Sequence, residues 1–153
     1  MLLGMDLTLC HIGSRFTAKD PFDALARGYL DRCAAFAKCQ DSAFRTEDDL
    51  FEWVTRRQGR TQPVVVLADS RGRSMTSEVF AAWLGVRRDE GAQHLVFAIG
   101  PASGWSDSAR ARAGLLLSLG PMTMAHALAR LVLAEQIYRA FTILSGHPYH
   151  GGH

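Results

Sequence analysis

Long hydrophobic runs are missing from this chain of 153 residues, and no stretch approaches the length of a membrane span. The apolar opening, MLLGMDLTLCHIG, lacks the basic flank and small-residue cleavage site of a secretory signal. It reads as a first strand, with Met5 an alternative start. Cysteine is scarce. Cys10, Cys33 and Cys39 are odd in number and fit neither a CxxC nor a zinc spacing, which points to reduced thiols, a cytoplasmic location and no metal. Lysine is nearly absent, since 15 of the 17 basic residues are arginine. The net charge of +2 is too small for a broad basic face, so any nucleic-acid surface has to be assembled by folding or association. Nucleotide signatures are missing too. There is no P-loop, and His11-Ile12-Gly13-Ser14-Arg15 lacks the later glycines of a dinucleotide fingerprint. Nucleoside triphosphatases, nicotinamide enzymes and the commonest methyltransferase fold are thereby disfavoured.

What is present is a regular alternation of short apolar runs and helical patterns within one domain, 1–153, without repeats or linkers. Asp6–Ile12 reads as a strand. Phe22–Phe36 carries apolar residues at helical spacing behind Asp20-Pro21, with proline at a favoured first-turn position. Lys38–Phe44 is a short, ambiguous second strand, and Thr46–Arg56 a helix opened by a T-x-x-D cap. Val64–Ala68 and Leu95–Ile99 are continuous apolar runs, as in strands buried on both faces of a parallel sheet. Asp69–Ser74 (DSRGRS) reads as a loop. Ser77–Leu84 and Ser106–Ala113 read as helices, the latter capped by Ser106. Leu115–Leu119 reads as a last strand and Met124–Leu144 as a long helix. Such alternation predicts an α/β domain of three layers around a parallel sheet.

Ligands of open α/β sheets sit beyond the carboxyl ends of the strands. Three predicted strand ends stand out: Leu67-Ala68-Asp69, Ile99-Gly100-Pro101 and Leu119-Gly120-Pro121-Met122-Thr123. Two of them turn through Gly-Pro. They offer main-chain groups and apolar walls with little charge, which suits an adenine ring and a methionine chain better than a triphosphate. The long helix is apolar almost all round: Leu128, Leu131, Val132, Tyr138 and Phe141 share one face, and Leu133, Ile137, Ala140 and Leu144 much of another. Burial on both sides predicts a homodimer through this helix. Glu135 and Arg139 are spaced as an i,i+4 ion pair. His126 starts the helix, where the dipole favours its neutral form. The tail Ser145–His153, SGHPYHGGH, looks built to fold back. Its His147, His150 and His153 recur every third residue, but the Gly-Gly spacer and the lack of a nearby carboxylate argue against a metal.

Taken together, IG followed by a later glycine, SL-x-x-MT-x-x-H, R-x-x-L-A-E-Q-x-Y-R-A and HPYH resemble the ribosomal RNA large-subunit methyltransferase H family of SPOUT methyltransferases. The match is good from Val64 to His150 and looser from Leu7 to Tyr29. The resemblance implies a C-terminal trefoil knot and a homodimer. It also implies S-adenosyl-L-methionine-dependent methylation of N3 of a pseudouridine in 23S rRNA, on the ribosome. Carried over position by position, the cofactor contacts fall at Leu67, Gly100, Leu119, Gly120, Pro121, Met122, Thr123 and Met124. Arg130 and Arg139 match basic positions and become candidate RNA contacts. His126, Tyr149 and His150 become candidate catalytic or base-stacking residues, with the tail able to complete the partner's site. The chain departs from the family pattern at Pro101, where a second glycine is usual, at Gly120 in place of serine, and at Gly151 in place of arginine. These departures keep open a non-catalytic ribosome-binding or assembly protein with a decayed site. Another SPOUT enzyme acting on tRNA or a different rRNA base is the further alternative, and the PYH tail speaks against it.

Overall fold

In the computed structural model, which describes residues 4–151, five parallel strands and five helices alternate along the chain. They are β1 (Asp6–Ile12), α1 (Pro21–Cys33), β2 (Lys38–Phe44), α2 (Glu47–Arg56), β3 (Val64–Ser74), α3 (Ser77–Asp89), β4 (His94–Ile99), α4 (Asp107–Arg112), β5 (Leu115–Ser118) and α5 (His126–Ser145). The sheet order is β2-β1-β4-β3-β5, every pairing parallel.

The strands alternate between two cores because successive side chains point to opposite faces. Leu7, Leu9, Val66, Leu95 and Phe97 pack with α1, α3 and α5. Cys10, Ile12, Val65, Leu67, Val96 and Ala98 pack with α2 and α4. This is the three-layer arrangement expected from the pattern. The ambiguous segment Lys38–Phe44 is a true strand, in register with β1 from Asp6↔Lys38 to Ile12↔Phe44. Burial pushes all three thiols above their ordinary range, Cys39 to about 12, and all three are free.

Helix starts follow their caps. Asp20 accepts from the Phe22 and Asp23 amides, Thr46 from Asp49, Thr76 from Val79 and Ser106 from Ala109. α5 is the exception, having no side-chain cap at its N-terminus. Its C-terminus closes through Gly146 at φ 74°, with the His147 amide donating to the Thr142 carbonyl.

Residues Asp69–Ser74 correct the sequence reading. They are not a free loop but the continuation of β3. Ala68 and Arg73 both pair with Leu117, so residues 69–72 form a bulge, and pairing resumes through Ser74↔Ser118. A polar composition hid the strand because the ladder is made by the backbone. Gly72 makes it possible: a Cβ there would lie 2.5 Å from the Leu116 carbonyl carbon and oxygen. We expect Gly72→Ala to lower stability by ~1–3 kcal/mol through overpacking against main chain that cannot move aside. Urea denaturation checks this, and an unchanged midpoint would mean that the two strands do not touch as described.

Candidate active site

The bulge of β3 and the carboxyl ends of β4 and β5 enclose a cavity of about 650 Å³. Its lining includes Ala68–Arg71, Ile99–Trp105, Leu119–Gly120, Met122–Ala125 and His126. Of the residues singled out from the sequence, Gly100, Leu119, Gly120, Met122, Thr123, Met124 and His126 meet here. Leu67 does not line it, being fully buried in the α2–α4 core, with its neighbours Ala68 and Asp69 in its place. Pro121 is exposed and outside the lining.

Two tethers shape the cavity. The Trp105 indole, 4% exposed, donates from Nε1 to the Ala68 carbonyl at 2.9 Å and so ties the β4 loop to β3 where its bulge begins. Its ring lies where a side chain at Gly100 would go, 2.7 Å from an added Cβ. Glycine at 100 is therefore required by the indole. The sequence pattern did not single out Trp105, since one aromatic residue in a loop carries no period. The second tether is Asp69. Its carboxylate accepts from Arg110 Nε at 2.5 Å and from the Arg71 amide at 2.8 Å. Burial alone would raise the Asp69 carboxyl, but these bonds and the two arginine charges outweigh it and hold it below its ordinary value.

His126 bonds through Nε2 to the Gly100 carbonyl, joining the first turn of α5 to the β4 loop. Behind it lies a ring cluster. Phe16 stands 4.6 Å from His11 and 6.4 Å from His126, and the two imidazoles are 6.2 Å apart.

Arg130 is not a surface RNA contact. Its side chain is 2% exposed and bridges Asp23 at 2.8 Å and Asp41 at 3.1 Å, with its guanidinium over the Phe16 ring. Three separate elements, α5, α1 and β2, converge on this charge. Arg139 is also committed, to Glu135 at 2.6 Å on the next turn, as the i,i+4 spacing suggested. Its other guanidinium nitrogen meets His150 Nδ1 at 2.9 Å.

The tail folds back as expected, but within the subunit it does not reach the cavity. Tyr149 donates to Glu135 at 3.1 Å and packs edge-on to Tyr138. Burial, then hydrogen bonding with Tyr29 and the charge of Glu135, push its hydroxyl well above the ordinary tyrosine range. His150 meets Glu78 of α3 at 2.6 Å. Carboxylates thus do lie beside the tail histidines, contrary to the sequence expectation. His153 lies outside the described residues.

A parallel sheet with a strand-end cavity built from the last three strands is the architecture of a SPOUT-class methyltransferase. The family described as "Predicted SPOUT methyltransferase" matches residues 5–150, and the chain belongs to it. It is 44% identical over 149 residues to "Ribosomal RNA large subunit methyltransferase H" of Koribacter versatilis, covering 97% of this chain and all of that one. It is 52% identical over 144 residues to the protein of that name from Allorhizobium ampelinum, covering 85% and 90% respectively. Among solved structures, a probable methylase family protein from Haemophilus influenzae superposes with a TM-score of 0.57 at 9% identity, over 97% of this chain and 71% of that one. The SpoU methyltransferase AviRb from Streptomyces viridochromogenes, solved in complex with AdoMet, gives 0.51 at 13% identity. That match covers 89% of this chain and 57% of AviRb.

The ring cluster predicts a pH dependence. Burial holds the pKa of His11 below its ordinary 6.5, overriding the bond to the Ser14 carbonyl, and Arg130 and His126 push in the same direction. The unfolded chain therefore takes up a proton near 6.5 that the folded chain resists. His11 contributes stability above that pH and loses it as the pH falls. We expect the urea midpoint to drop between pH 7 and pH ~5, and His11→Gln to flatten that drop. Parallel curves for the two proteins would refute the assignment.

Proposed function

We propose that this protein methylates large-subunit ribosomal RNA with S-adenosylmethionine as donor, at N3 of a pseudouridine. The observation that carries the reading is the cavity at the β3 bulge and the ends of β4 and β5, found in a chain 44% identical along its length to a protein named for rRNA methylation. The lining fits the cofactor. The volume suits a ligand of that size, the loops present main-chain groups at Gly100, Gly120 and Met122–Met124, and the charged side chains of the lining are Asp69, Arg71 and Arg110, of which Asp69 and Arg110 pair with each other. Gly120 adopts φ 123°, a conformation open to glycine, which shapes the turn at the end of β5.

When bound, S-adenosylmethionine supplies an electrophilic methyl group. The protein's own residues have to align an acceptor nitrogen with it and exclude water. The Trp105–Ala68 and His126–Gly100 bonds tie the β4 loop to β3 and to α5, which limits the ordering required on binding. Removal of the N3 proton falls to a group near the base. His126 is the imidazole on the wall, and Tyr149 and His150 are candidates if the tail meets the cavity of a second subunit.

A dimer belongs to the same reading. From His126 to Leu144 no residue of α5 is fully exposed, yet Leu128, Leu131, Val132 and Leu144 are only half-buried in the single chain. α1 adds exposed Phe22 and Leu25. Apolar surface of this extent suits a twofold contact through α5. The trefoil knot implied by the resemblance is also part of this proposal. So is a cytoplasmic location, where ribosomes are, and no helix among the described residues is long and apolar enough to cross a membrane.

Two measurements test the proposal. Light scattering at micromolar concentration should report twice the chain mass, and a monomer would remove the α5 dimer. Ribosomes lacking the modification, incubated with methyl-labelled S-adenosylmethionine, should acquire label on a 23S pseudouridine, mapped by mass spectrometry of RNA digests. Label on tRNA or another base would reassign the substrate. Cofactor and ribosome binding without label would support the decayed-site reading, which Pro101 motivates because it brings no N–H to the cavity wall.

A further inference from the structure

The two arginines that the sequence offered for RNA are engaged elsewhere. Arg130 is buried between Asp23 and Asp41, and Arg139 is held by Glu135 and His150. RNA affinity rests largely on arginine and lysine contacts with phosphate. If the rRNA reading holds, other cations must border the cavity.

We propose that Arg71 and Arg73, the exposed arginines on either side of Gly72 in β3, form the phosphate clamp that seats RNA over this cavity. Arg71 itself lines the cavity. Both residues are exposed, and among the described residues neither guanidinium has a carboxylate within ion-pair distance. Asp69, which the Arg71 charge helps to keep ionised, forms its ion pair with Arg110. Glu78, at the start of the following helix, is taken by His150.

The backbone beneath them is fixed from both sides. Asp69 holds the Arg71 amide, Gly72 lies against the Leu116–Leu117 main chain, and Arg73 pairs with Leu117. A clamp built on such a bulge loses little backbone freedom on binding. Guanidinium groups suit phosphate through their planar fork of donors.

Other arginines are worse placed. Arg57 lies over Trp53, and Arg112 over Phe51. Arg15 lines a small cavity together with Asp23 and Asp41. Arg60 borders Asp6 and His94, at the opposite ends of the strands. Arg45 follows β2, at the far edge of the sheet from β5.

The test uses the full chain with Arg71→Gln, Arg73→Gln, the double variant, and Arg60→Gln as a control. Binding to the large ribosomal subunit is measured across a salt series, alongside S-adenosylmethionine affinity, thermal midpoint and methyl-transfer kinetics. Each single substitution should reduce the slope of log K against log salt by ~0.7–0.9, and the double variant should bind about tenfold or more weakly. KM for the subunit should rise and the thermal midpoint hold for each variant, kcat and cofactor affinity should hold for Arg73→Gln, which lies outside the cavity lining, and Arg60→Gln should match wild type.

If the double variant keeps the wild-type slope and KM while wild type binds and methylates the subunit, the clamp is wrong and the rRNA reading stands. If Arg73→Gln loses cofactor affinity while its salt slope and KM stay as in wild type, the bulge serves the cofactor site and the clamp is again wrong. If wild type itself neither binds nor methylates the subunit, the rRNA reading and the clamp fall together.

Discussion

Burying a guanidinium requires that its charge be met where it lies, and Arg130 is the point at which this fold meets that requirement. Asp23 arrives from α1, Asp41 from β2 and the Phe16 ring from the loop after β1, all converging on one side chain of α5. Removing one partner of such a group leaves an uncompensated charge in a poorly solvated place. The cluster therefore fixes where α5 begins, a helix whose first turn has no side-chain cap of its own. One turn earlier, His126 bonds to Gly100 and carries this placement into the cavity wall. The wall thus depends on an ion-pair cluster outside the cavity.

The fold was largely legible from the sequence because its signals were periodic. Val64–Val66 and Leu95–Ile99 are apolar on both faces, as strands between two helical layers must be. The caps Asp20, Thr46 and Ser106 announced their helices. The second half of β3 was not legible, since Asp69–Ser74 carries no apolar pattern and earns its strand geometry from backbone pairing with β5 alone. Site residues divided along the same line. Glycines and polar residues at strand ends reached the cavity because topology takes them there. Arg130, Tyr149 and His150 went elsewhere because their positions depend on partners distant in sequence, Asp23, Asp41, Glu135 and Glu78. A single sequence carries no sign of such pairings.

The few-charge character of the cavity follows from the same economy of partners. Asp69 and Arg110 neutralise one another in its wall, and apart from Arg71 the other lining side chains are apolar or uncharged polar groups such as Ser70, Ser103, Thr123 and His126. A ligand there is read chiefly by shape and by backbone groups, with little long-range field to draw it in. Unpaired positive charge enters at the β3 bulge, through exposed Arg71 on the cavity wall and Arg73 beside it.

Trp105 and Gly100 form a pair in which a change at one position alters what the other can hold. The indole fills the volume that a side chain at 100 would need, and its Nε1 holds the strand beside it. A larger residue at 100 is admissible only after the aromatic ring has gone, and a small residue at 105 opens a void that only a substituted 100 can fill. Variation at the two positions is therefore constrained to move in concert, and the order in which the changes arise decides whether an intermediate with an intact cavity exists at all.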